Sequence, residues 1–198
     1  MRKFFIVVTA VTFVLFLSFG DYSHAGEVRD GFQAAKKIKS RFFTIYIEGG
    51  VNTVELASCL SVPPSIKAII KDPTVNFHDS SLSGQLDIFF LAVSEILDIR
   101  LKSFECKIKI CRDMKSLSKV AENLFGRSVN VAGFYISQIN TLYIDAEHLN
   151  ISILGHELSH AIQCNYFVIP PPEKIQEVLS GYVEFQLRKY TNTLPHKK

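Results

Sequence analysis

The most informative stretch of this sequence is a pair of histidines four residues apart, with a glutamate directly after the first: His156-Glu157-Leu158-Ser159-His160. Residues 151–165 around it contain no proline, and Asn150 can cap a helix N-terminus, so we expect a helix here. In a helix, positions i and i+4 lie on one face about one turn apart, so both imidazoles can reach a single ion. Glu157 is rotated by about 100° from the first histidine and can face a water molecule beside that ion.

A second helix is expected soon after the first. Residues 173–189 have a helical pattern, and Pro170-Pro171-Pro172 separates them from the histidine helix. Because this connection is short, we expect the two helices to pack as an antiparallel pair. A catalytic zinc ion takes three protein ligands and keeps one position open, so a third ligand is sought on the second helix.

Three glutamates of this second helix fall on nearly the same stripe, so helical phase cannot choose among them: Glu173, Glu177 and Glu184. Glu177 lies about as far into its helix as His160 lies before the end of the first helix, so the two reach a similar height. Ser180 and Gly181, one turn further on, are small enough to let the helices pack closely. The sequence therefore predicts Glu177 as the third ligand.

Two segments resemble a known group of enzymes. Residues 153–162, which contain the histidine pair, look like the active-site helix of zincin metallopeptidases. Residues 177–182, Glu177-Val178-Leu179-Ser180-Gly181-Tyr182, are similar to the glutamate helix of the gluzincin branch. The resemblance covers about residues 108–190 and is closest to small members of that branch. It implies a zincin-like α+β fold, Zn²⁺ held by His156, His160 and Glu177, and Glu157 as the general base. It also implies that the strand at 141–145 forms the edge of the substrate cleft.

The chain departs from the family pattern at one position. Some gluzincins carry an aspartate four residues after the glutamate ligand to orient a histidine, and this chain has Gly181 there. Asp145 and Glu184 are the candidates for that role. Cys164 continues the series of His156 and His160, but each step of four residues drifts by about 40°, which disfavours it as a ligand. Tyr182 is either an oxyanion-stabilising residue, as a tyrosine is in several zincins, or a core residue.

The rest of the chain mixes helices and strands without a regular βαβ alternation, which favours an α+β fold. Strands are predicted at 42–48, 66–70, 104–111, 134–137 and 141–145. Helices are predicted at 53–60 with Asn52 as the cap, at 84–100, from Asp113 or Ser116 to near Gly126, and at 151–165 and 173–189. Segment 26–40 is interpreted as a helix or a loose arm.

The N-terminus has the parts of a secretory signal peptide. Arg2 and Lys3 precede an apolar run at 4–19, and small residues flank the histidine of Ser23-His24-Ala25. The apolar run is shorter than the ~20 residues that a spanning helix needs, so cleavage near Ala25 is favoured over an uncleaved anchor. We expect a signal peptide at 1–25 and a single zincin-like metallopeptidase domain at 26–198, exported to the periplasm or secreted. No later apolar run approaches spanning length, so the mature form is not expected to span a membrane.

Composition excludes two classes of protein. The net charge is +3 at pH 7 and no block of like charge occurs, which argues against a nucleic-acid partner. Hydrophobic residues make up 47% of the chain, which excludes a disordered protein.

Four cysteines would face an oxidising compartment after export: Cys59, Cys106, Cys111 and Cys164. Alternation in the predicted strand at 104–111 places Cys106 and Cys111 on opposite faces, about 16 Å apart at ~3.3 Å per residue. A disulfide between them is therefore disfavoured. If two disulfides form, Cys59 and Cys164 each pair with one of these two; free thiols remain the alternative.

Together these patterns predict an exported zinc-dependent peptidase that acts on a peptide or protein substrate. Zinc lowers the pKa of its water, and Glu157 takes the proton as the peptide carbonyl is attacked. The alternative is a zinc-binding envelope or secreted interaction protein without hydrolysis. A third reading is a disulfide-held structural protein without a metal. The sequence leaves the substrate and the oligomeric state open.

Overall fold

The structure, a computed structural model, describes residues 29–194. The predicted signal peptide at 1–25 lies outside the described residues. The described part of the chain forms a five-stranded mixed sheet and six α-helices, which confirms the predicted α+β class. Between residues 29 and 194, no helix combines the length and the apolar character that crossing a bilayer requires.

Five strands form the sheet: β1 (Ala34–Lys39), β2 (Phe43–Glu48), β3 (Cys106–Cys111), β4 (Gly133–Ile136) and β5 (Thr141–Asp145). Their spatial order is β1-β2-β3-β5-β4. The three central strands run parallel, and the two outer strands are antiparallel to their neighbours. The strands predicted at 42–48 and 104–111 and the predicted hairpin at 134–145 are confirmed, with boundary shifts of one or two residues.

The strand directly before the histidine helix is not the edge of the sheet. Thr141 of β5 pairs with Lys107 of β3 on one side and with Ile136 of β4 on the other. The expectation that 141–145 forms the cleft edge is therefore wrong, and β4 is the edge on that side. The short 3₁₀ turn Ser137–Ile139 connects β4 to β5. Strand β5 pairs with β3, and β4 therefore lies at the outer edge of the sheet.

Six helices surround the sheet: α1 (Thr53–Cys59), α2 (Pro64–Lys67), α3 (Leu82–Leu97), α4 (Met114–Phe125), α5 (Ile151–Tyr166) and α6 (Glu173–Tyr190). The side chains of Asn52, Asp113 and Asn150 accept hydrogen bonds from first-turn N–H groups of α1, α4 and α5. These caps fix helix starts that the sequence predicts from the same residues. The helix predicted at 84–100 is α3, which begins and ends two to three residues earlier.

Two segments differ from the sequence predictions. Residues 66–70 were predicted to be extended, but the short helix α2 occupies the start of this region, with Pro64 in its first turn and Ile66 buried. Proline suits the first turn because its φ is already helical and its missing N–H has no partner there. Segment 26–40 contains strand β1, in which only Ile38 is partly buried. An exposed edge strand has no apolar alternation to reveal it.

Buried apolar side chains form one cluster on each face of the sheet. The larger cluster packs α1, α3, α5 and α6 against inward residues of the parallel strands, such as Ile45, Ile108 and Ile144. The smaller cluster packs α4 against the opposite face, next to Phe134 and Tyr143. The pair α5 and α6 thus lies on one face only, with α5 beside β4 and β5.

The four cysteines are free. Cys106 belongs to the larger apolar cluster and Cys111 to the smaller one, so the strand places them on opposite faces as predicted. Burial raises the pKa of each of these two thiols to about 12. They are therefore neutral side chains of the core. The sequence leaves open whether the cysteines form disulfides or stay free, and in the structure all four are free thiols.

A buried carboxylate ties the first described residues to the α4 face of the sheet. Asp30 is 3% exposed, and its Oδ2 atom accepts a hydrogen bond from Tyr143 Oη at 2.6 Å and pairs with Lys109 Nζ. Its Oδ1 atom accepts from the N–H of Phe32 at 3.0 Å. Burial by itself would raise the pKa of Asp30, but these partners hold it below its usual value.

Candidate metal centre

Helix α5 carries both predicted histidine ligands. Its cap, Asn150, accepts a hydrogen bond from Ile153 N–H at 3.0 Å. His156 is 9% exposed and His160 is 1% exposed, and their ring centroids lie 5.1 Å apart with an angle of 65° between the planes. Both imidazoles therefore occupy the same side of the helix, as the i, i+4 spacing requires.

Helices α5 and α6 pack in opposite directions. Near the end of α5, Gln163 Nε2 lies 3.4 Å from the carbonyl oxygen of Gln176 and 3.4 Å from Ser180 Oγ. Near the start of α5, Gly155 lies against Leu187, which is close to the end of α6. The predicted antiparallel pair is confirmed.

The glycine that permits close packing is on α5. A Cβ atom added to Gly155 would lie 2.1 Å from Leu187 Cδ1, whereas one added to Gly181 would meet no heavy atom within 4 Å. Ser180 is fully buried at the interface, as predicted, but the packing role predicted for Gly181 is wrong. The two helices are therefore in direct contact at Gly155, one residue before His156.

Glu177 is the α6 carboxylate that bridges the two histidines. Its Oε2 atom is 3.4 Å from His156 Nε2, and its Oε1 atom is 3.3 Å from His160 Nε2. One ligand-type atom of each of the three residues lies within 4.8 Å of the others. Of the other two glutamates, Glu173 is exposed at the start of α6, and Glu184 lies on the other side of the His156 ring. The structure thus brings together the three residues that the sequence predicts as ligands.

Several polar atoms of this group are buried and have no hydrogen-bond partner among the described residues: His156 Nε2, His160 Nε2 and Glu177 Oε1. Buried polar atoms without a partner are rare in folded proteins, and each of these is an atom type that binds divalent metals. Two imidazole nitrogens and a carboxylate oxygen therefore fit a divalent transition-metal ion.

Charges in the group favour a cation at its centre. Burial lowers the pKa of His156, which keeps its imidazole in the neutral form that ligates metals. Burial acts in the same direction on His160, but the neighbouring Glu177 and Glu157 raise its pKa overall. Burial would raise the pKa of Glu177, yet the two histidines hold it below its usual value. The carboxylates thus stabilise positive charge at the place where a divalent cation would supply it.

Glu157 is buried beside the ligands, with 3% of its surface exposed. Burial raises its pKa to about 8, and the negative charge of Glu177 adds to this effect. His160 and a hydrogen bond from the N–H of Tyr135 act in the opposite direction. A carboxyl group with a pKa near neutrality can both accept and donate a proton under ordinary conditions.

Strand β4 runs directly along Glu157. A Cβ atom added to Gly133 would lie 3.4 Å from Glu157 Cγ. Asp145 N–H donates to the carbonyl oxygen of Ala132 at 2.9 Å, so in this antiparallel ladder the alternate residues Phe134 and Ile136 also face β5. The backbone groups of Gly133 and Tyr135 therefore point outward from the sheet, toward the side where Glu157 receives the N–H of Tyr135. The Glu157 carboxyl and the outer edge of β4 are therefore neighbours.

Asp145, one of the two candidates for orienting a histidine ligand, has other partners. Its Oδ1 atom accepts from Glu147 N–H at 2.9 Å, and its Oδ2 atom pairs with His148 Nδ1. Ligand-type atoms of these three residues also lie within 4.8 Å of one another. However, Asp145 already has partners for both oxygens, and the other two side chains are exposed, so this group fits an ion less well. The prediction that Asp145 orients a ligand is wrong.

Glu184, the other candidate, does lie beside a ligand, with Oε2 3.7 Å from His156 Nδ1. Sequence reasoning missed the neighbour of the other histidine, Gln176, which is 1% exposed and raises the pKa of His160. Gln176 directly precedes Glu177, and no spacing pattern in the sequence distinguishes it. Sequence reasoning also missed the backbone contribution of β4, which no side-chain pattern encodes.

Cys164 and Tyr182 lie outside the ligand group. Cys164 Sγ is 3.7 Å from Gln176 Oε1, and burial raises the pKa of this thiol to about 11. Tyr182 is 47% exposed and lines a surface depression with Lys71 and Tyr190. The core role considered for Tyr182 does not match this exposure, and its oxyanion role stays a prediction.

Comparison of the chain with protein-family models, curated proteins and solved structures found no match. The chemistry of the centre is therefore interpreted from its own residues.

Proposed function

We propose that the protein is a zinc-dependent peptidase with a zincin-like arrangement of the gluzincin type. The observation that carries this proposal is the meeting of two buried imidazoles from α5 with the Glu177 carboxylate from α6, with Glu157 buried beside them. Two histidines, a glutamate and a separate carboxyl group are the complement of a hydrolytic zinc site.

Zinc is the proposed metal because of the donor set. His156, His160 and Glu177 offer two nitrogens and one oxygen, and the buried atoms among them have no competing partner within the described residues. The Glu177 side chain keeps 31% of its surface exposed, which leaves the group open to solvent on one side. When bound there, zinc supplies Lewis acidity, which lowers the pKa of water and polarises a carbonyl group.

Glu157 is the proposed general base. It takes a proton from the attacking water and later returns it to the nitrogen of the leaving amine. Its burial against β4 keeps bulk water away from the carboxyl, and the Tyr135 N–H lies toward one side of the group. These contacts keep Glu157 in place without tying it to a neutralising side chain.

Peptides are the proposed substrates because of the strand edge beside Glu157. The N–H and C=O groups of Gly133 and the C=O group of Tyr135 can pair with an extended peptide, while the Tyr135 N–H faces Glu157; this pairing would place a peptide bond next to the centre. Export of the enzyme is part of the proposal and rests on the signal-peptide pattern at residues 1–25.

A digest of a broad peptide library tests the proposal. We expect cleavage with about one zinc per chain, loss of cleavage after treatment with a chelator, and recovery when zinc is added back. Cleavage that persists without metal would contradict the mechanism. Zinc binding without any cleavage would instead support the non-hydrolytic interaction protein, and a chain without bound zinc would contradict both.

A further inference from the structure

The imidazole of His156, on α5, lies between two carboxylates that both belong to α6. Its Nε2 atom is 3.4 Å from Glu177 Oε2, and its Nδ1 atom is 3.7 Å from Glu184 Oε2. The two glutamates are seven residues apart on α6, which corresponds to about two turns or ~10 Å along the axis. One edge of the ring therefore faces the proposed metal position, and the other edge faces a second carboxylate.

Arg188 holds Glu184 from the opposite side. Its Nη2 atom is 2.5 Å from Glu184 Oε1, one turn further along α6. The two carboxylate oxygens are thus divided, with Oε1 toward Arg188 and Oε2 toward His156. A glutamate that precedes an arginine by four residues is a favourable pair on a helix, so the arrangement restricts the rotation of Glu184.

We propose that Glu184 is the positioning residue for His156: it accepts a hydrogen bond from Nδ1–H and thereby presents Nε2 to the metal. This inference rests on the metal centre of the proposed function. An imidazole that ligates through Nε2 carries its proton on Nδ1, and an acceptor there fixes both the tautomer and the ring orientation. The gap of 3.7 Å closes to hydrogen-bond distance with a shift of about 1 Å of a side chain that is partly exposed.

Glycine stands at the position where some gluzincins place the orienting aspartate. Gly181 is one turn after Glu177, and a Cβ atom there would have no heavy atom within 4 Å. Glu184 is about one turn further along α6, has a side chain longer by one methylene group, and takes over the role at His156 Nδ1. The spacing from ligand to acceptor is therefore seven residues in this chain rather than four.

The two histidines have different neighbours on their outer sides, and His160 Nδ1 has no hydrogen-bond partner among the described residues. His156 Nδ1 faces a carboxylate, whereas the buried side chain next to His160 is the neutral amide of Gln176. Only one of these partners adds negative charge near the centre. Apart from the ligand Glu177, the affinity for a cation is therefore expected to depend more on Glu184 than on Glu173, the remaining glutamate of α6.

The zinc dissociation constant, measured by competition with a fluorescent chelator, tests the inference. We expect Glu184→Ala to bind zinc 10–100-fold more weakly, the range found when such an outer partner is removed. Glu184→Gln keeps an acceptor oxygen and should lose less. Glu173→Ala is the matched control, because it removes the same side chain from the exposed start of the same helix and should bind as the wild type does.

A rescue variant separates positioning from a general loss of structure. Gly181→Asp, introduced together with Glu184→Ala, places a carboxylate at the family position and should recover part of the lost affinity. An unchanged dissociation constant in Glu184→Ala would overturn the inference but leave the zinc centre standing. A wild-type chain without zinc affinity would overturn the proposed function itself.

If Glu184→Ala fails to fold, as judged by circular dichroism, Arg188→Gln provides the same test. This variant keeps both His156 and Glu184 but removes the ion pair that restrains the Glu184 side chain. Weaker zinc binding by Arg188→Gln supports the inference, and binding equal to that of the wild type overturns it.

Discussion

Gly155 of α5 is in direct contact with Leu187 of α6: a Cβ atom on the glycine would lie 2.1 Å from Cδ1 of the leucine. Leu187 is fully buried, so its side chain cannot move into solvent to make room. Because His156 is the next residue, this contact sets the distance between the helix that carries the histidines and the helix that carries Glu177.

Gly155→Ala is therefore expected to lower both stability and zinc affinity. Overpacking of a dense core costs about 1–3 kcal/mol, and the shifted helices separate the ligands. Gly181→Ala is the matched control, since its Cβ has open space and alanine favours a helix interior by up to ~1 kcal/mol. Chemical denaturation and zinc titration measure both effects. In Gly155→Ala combined with Leu187→Ala, the loss should be smaller than the sum of the two single losses; strict additivity would contradict the contact.

Glu157→Gln should retain zinc and lose nearly all peptide turnover. Glutamine has the same shape but cannot take a proton from water, and general-base catalysis contributes about 10²–10⁴-fold. Zinc content and kcat, measured on the same preparation, check this prediction. Glu147→Gln is the control, because this glutamate is exposed and lies outside the ligand group. Wild-type turnover in Glu157→Gln would exclude the proposed mechanism.

Metal-free protein is expected to lose stability as the pH rises from about 4.5 to about 8. Burial raises the pKa of Glu157 to about 8 in the fold, whereas in the unfolded chain it is near the ordinary value of 4.5. The fold thus favours the protonated form of Glu157. The contribution of Glu157 to the free energy of unfolding is complete below its pKa in the unfolded chain, and it is lost as the pH rises through its pKa in the folded protein. Urea unfolding of the chelator-treated protein at several pH values measures this slope. Glu157→Gln should flatten it, and an equal slope in both proteins would contradict the assignment.

Gly133→Ala should reduce turnover while zinc stays bound. The added Cβ would lie 3.1 Å from the carbonyl oxygen of Tyr143, which is tighter than an ordinary contact, and 3.4 Å from Glu157 Cγ, so β4 must shift by a few tenths of an ångström beside the base. A displacement of about 1 Å at a catalytic group can cost on the order of 10²-fold in rate, so a smaller loss of turnover is expected here. Gly49→Ala is the control, since its Cβ would make only an ordinary contact of 3.7 Å with Ala35. Equal kcat values for both variants would show that β4 does not position Glu157.

Asp30→Asn should destabilise the fold without changing zinc affinity. The substitution leaves Lys109, whose side chain is 18% exposed, without its charged partner. Breaking a buried ion pair from one side costs about 3–5 kcal/mol, and the lower part of this range is expected because Lys109 is not fully buried. The pair lies on the α4 face of the sheet, opposite to α5 and α6. Thermal unfolding and zinc titration together check this, and a large change in zinc affinity would contradict the separation of the two faces.

The helices of the candidate centre could be predicted because their signals are local. The i, i+4 histidine spacing, the Asn150 cap and the proline connection at 170–172 each act within a few residues, and tertiary packing agrees with them. The position of Glu177 was predicted from the lengths of the two helices and from the small residues one turn after it.

Features that depend on contacts distant in sequence could not be predicted in the same way. The order of β4 and β5 is decided by which strand pairs with β3, and the hairpin pattern is the same for both orders. The role of Gly155 depends on Leu187, 32 residues later, and that of Gln176 on its burial against α5. Strand β1 was missed because its exposed, lysine-rich sequence has no apolar period.

The three proposed ligands and the acceptor Glu184 all come from one helical hairpin, and only the strand edge comes from elsewhere. The loop that must close between His160 and Glu177 is short, so bringing them together costs little chain entropy. Zinc binding should therefore depend mainly on the packing of α5 against α6. Turnover, in contrast, should also require β4, and partly folded chains are expected to capture metal before they can hydrolyse anything.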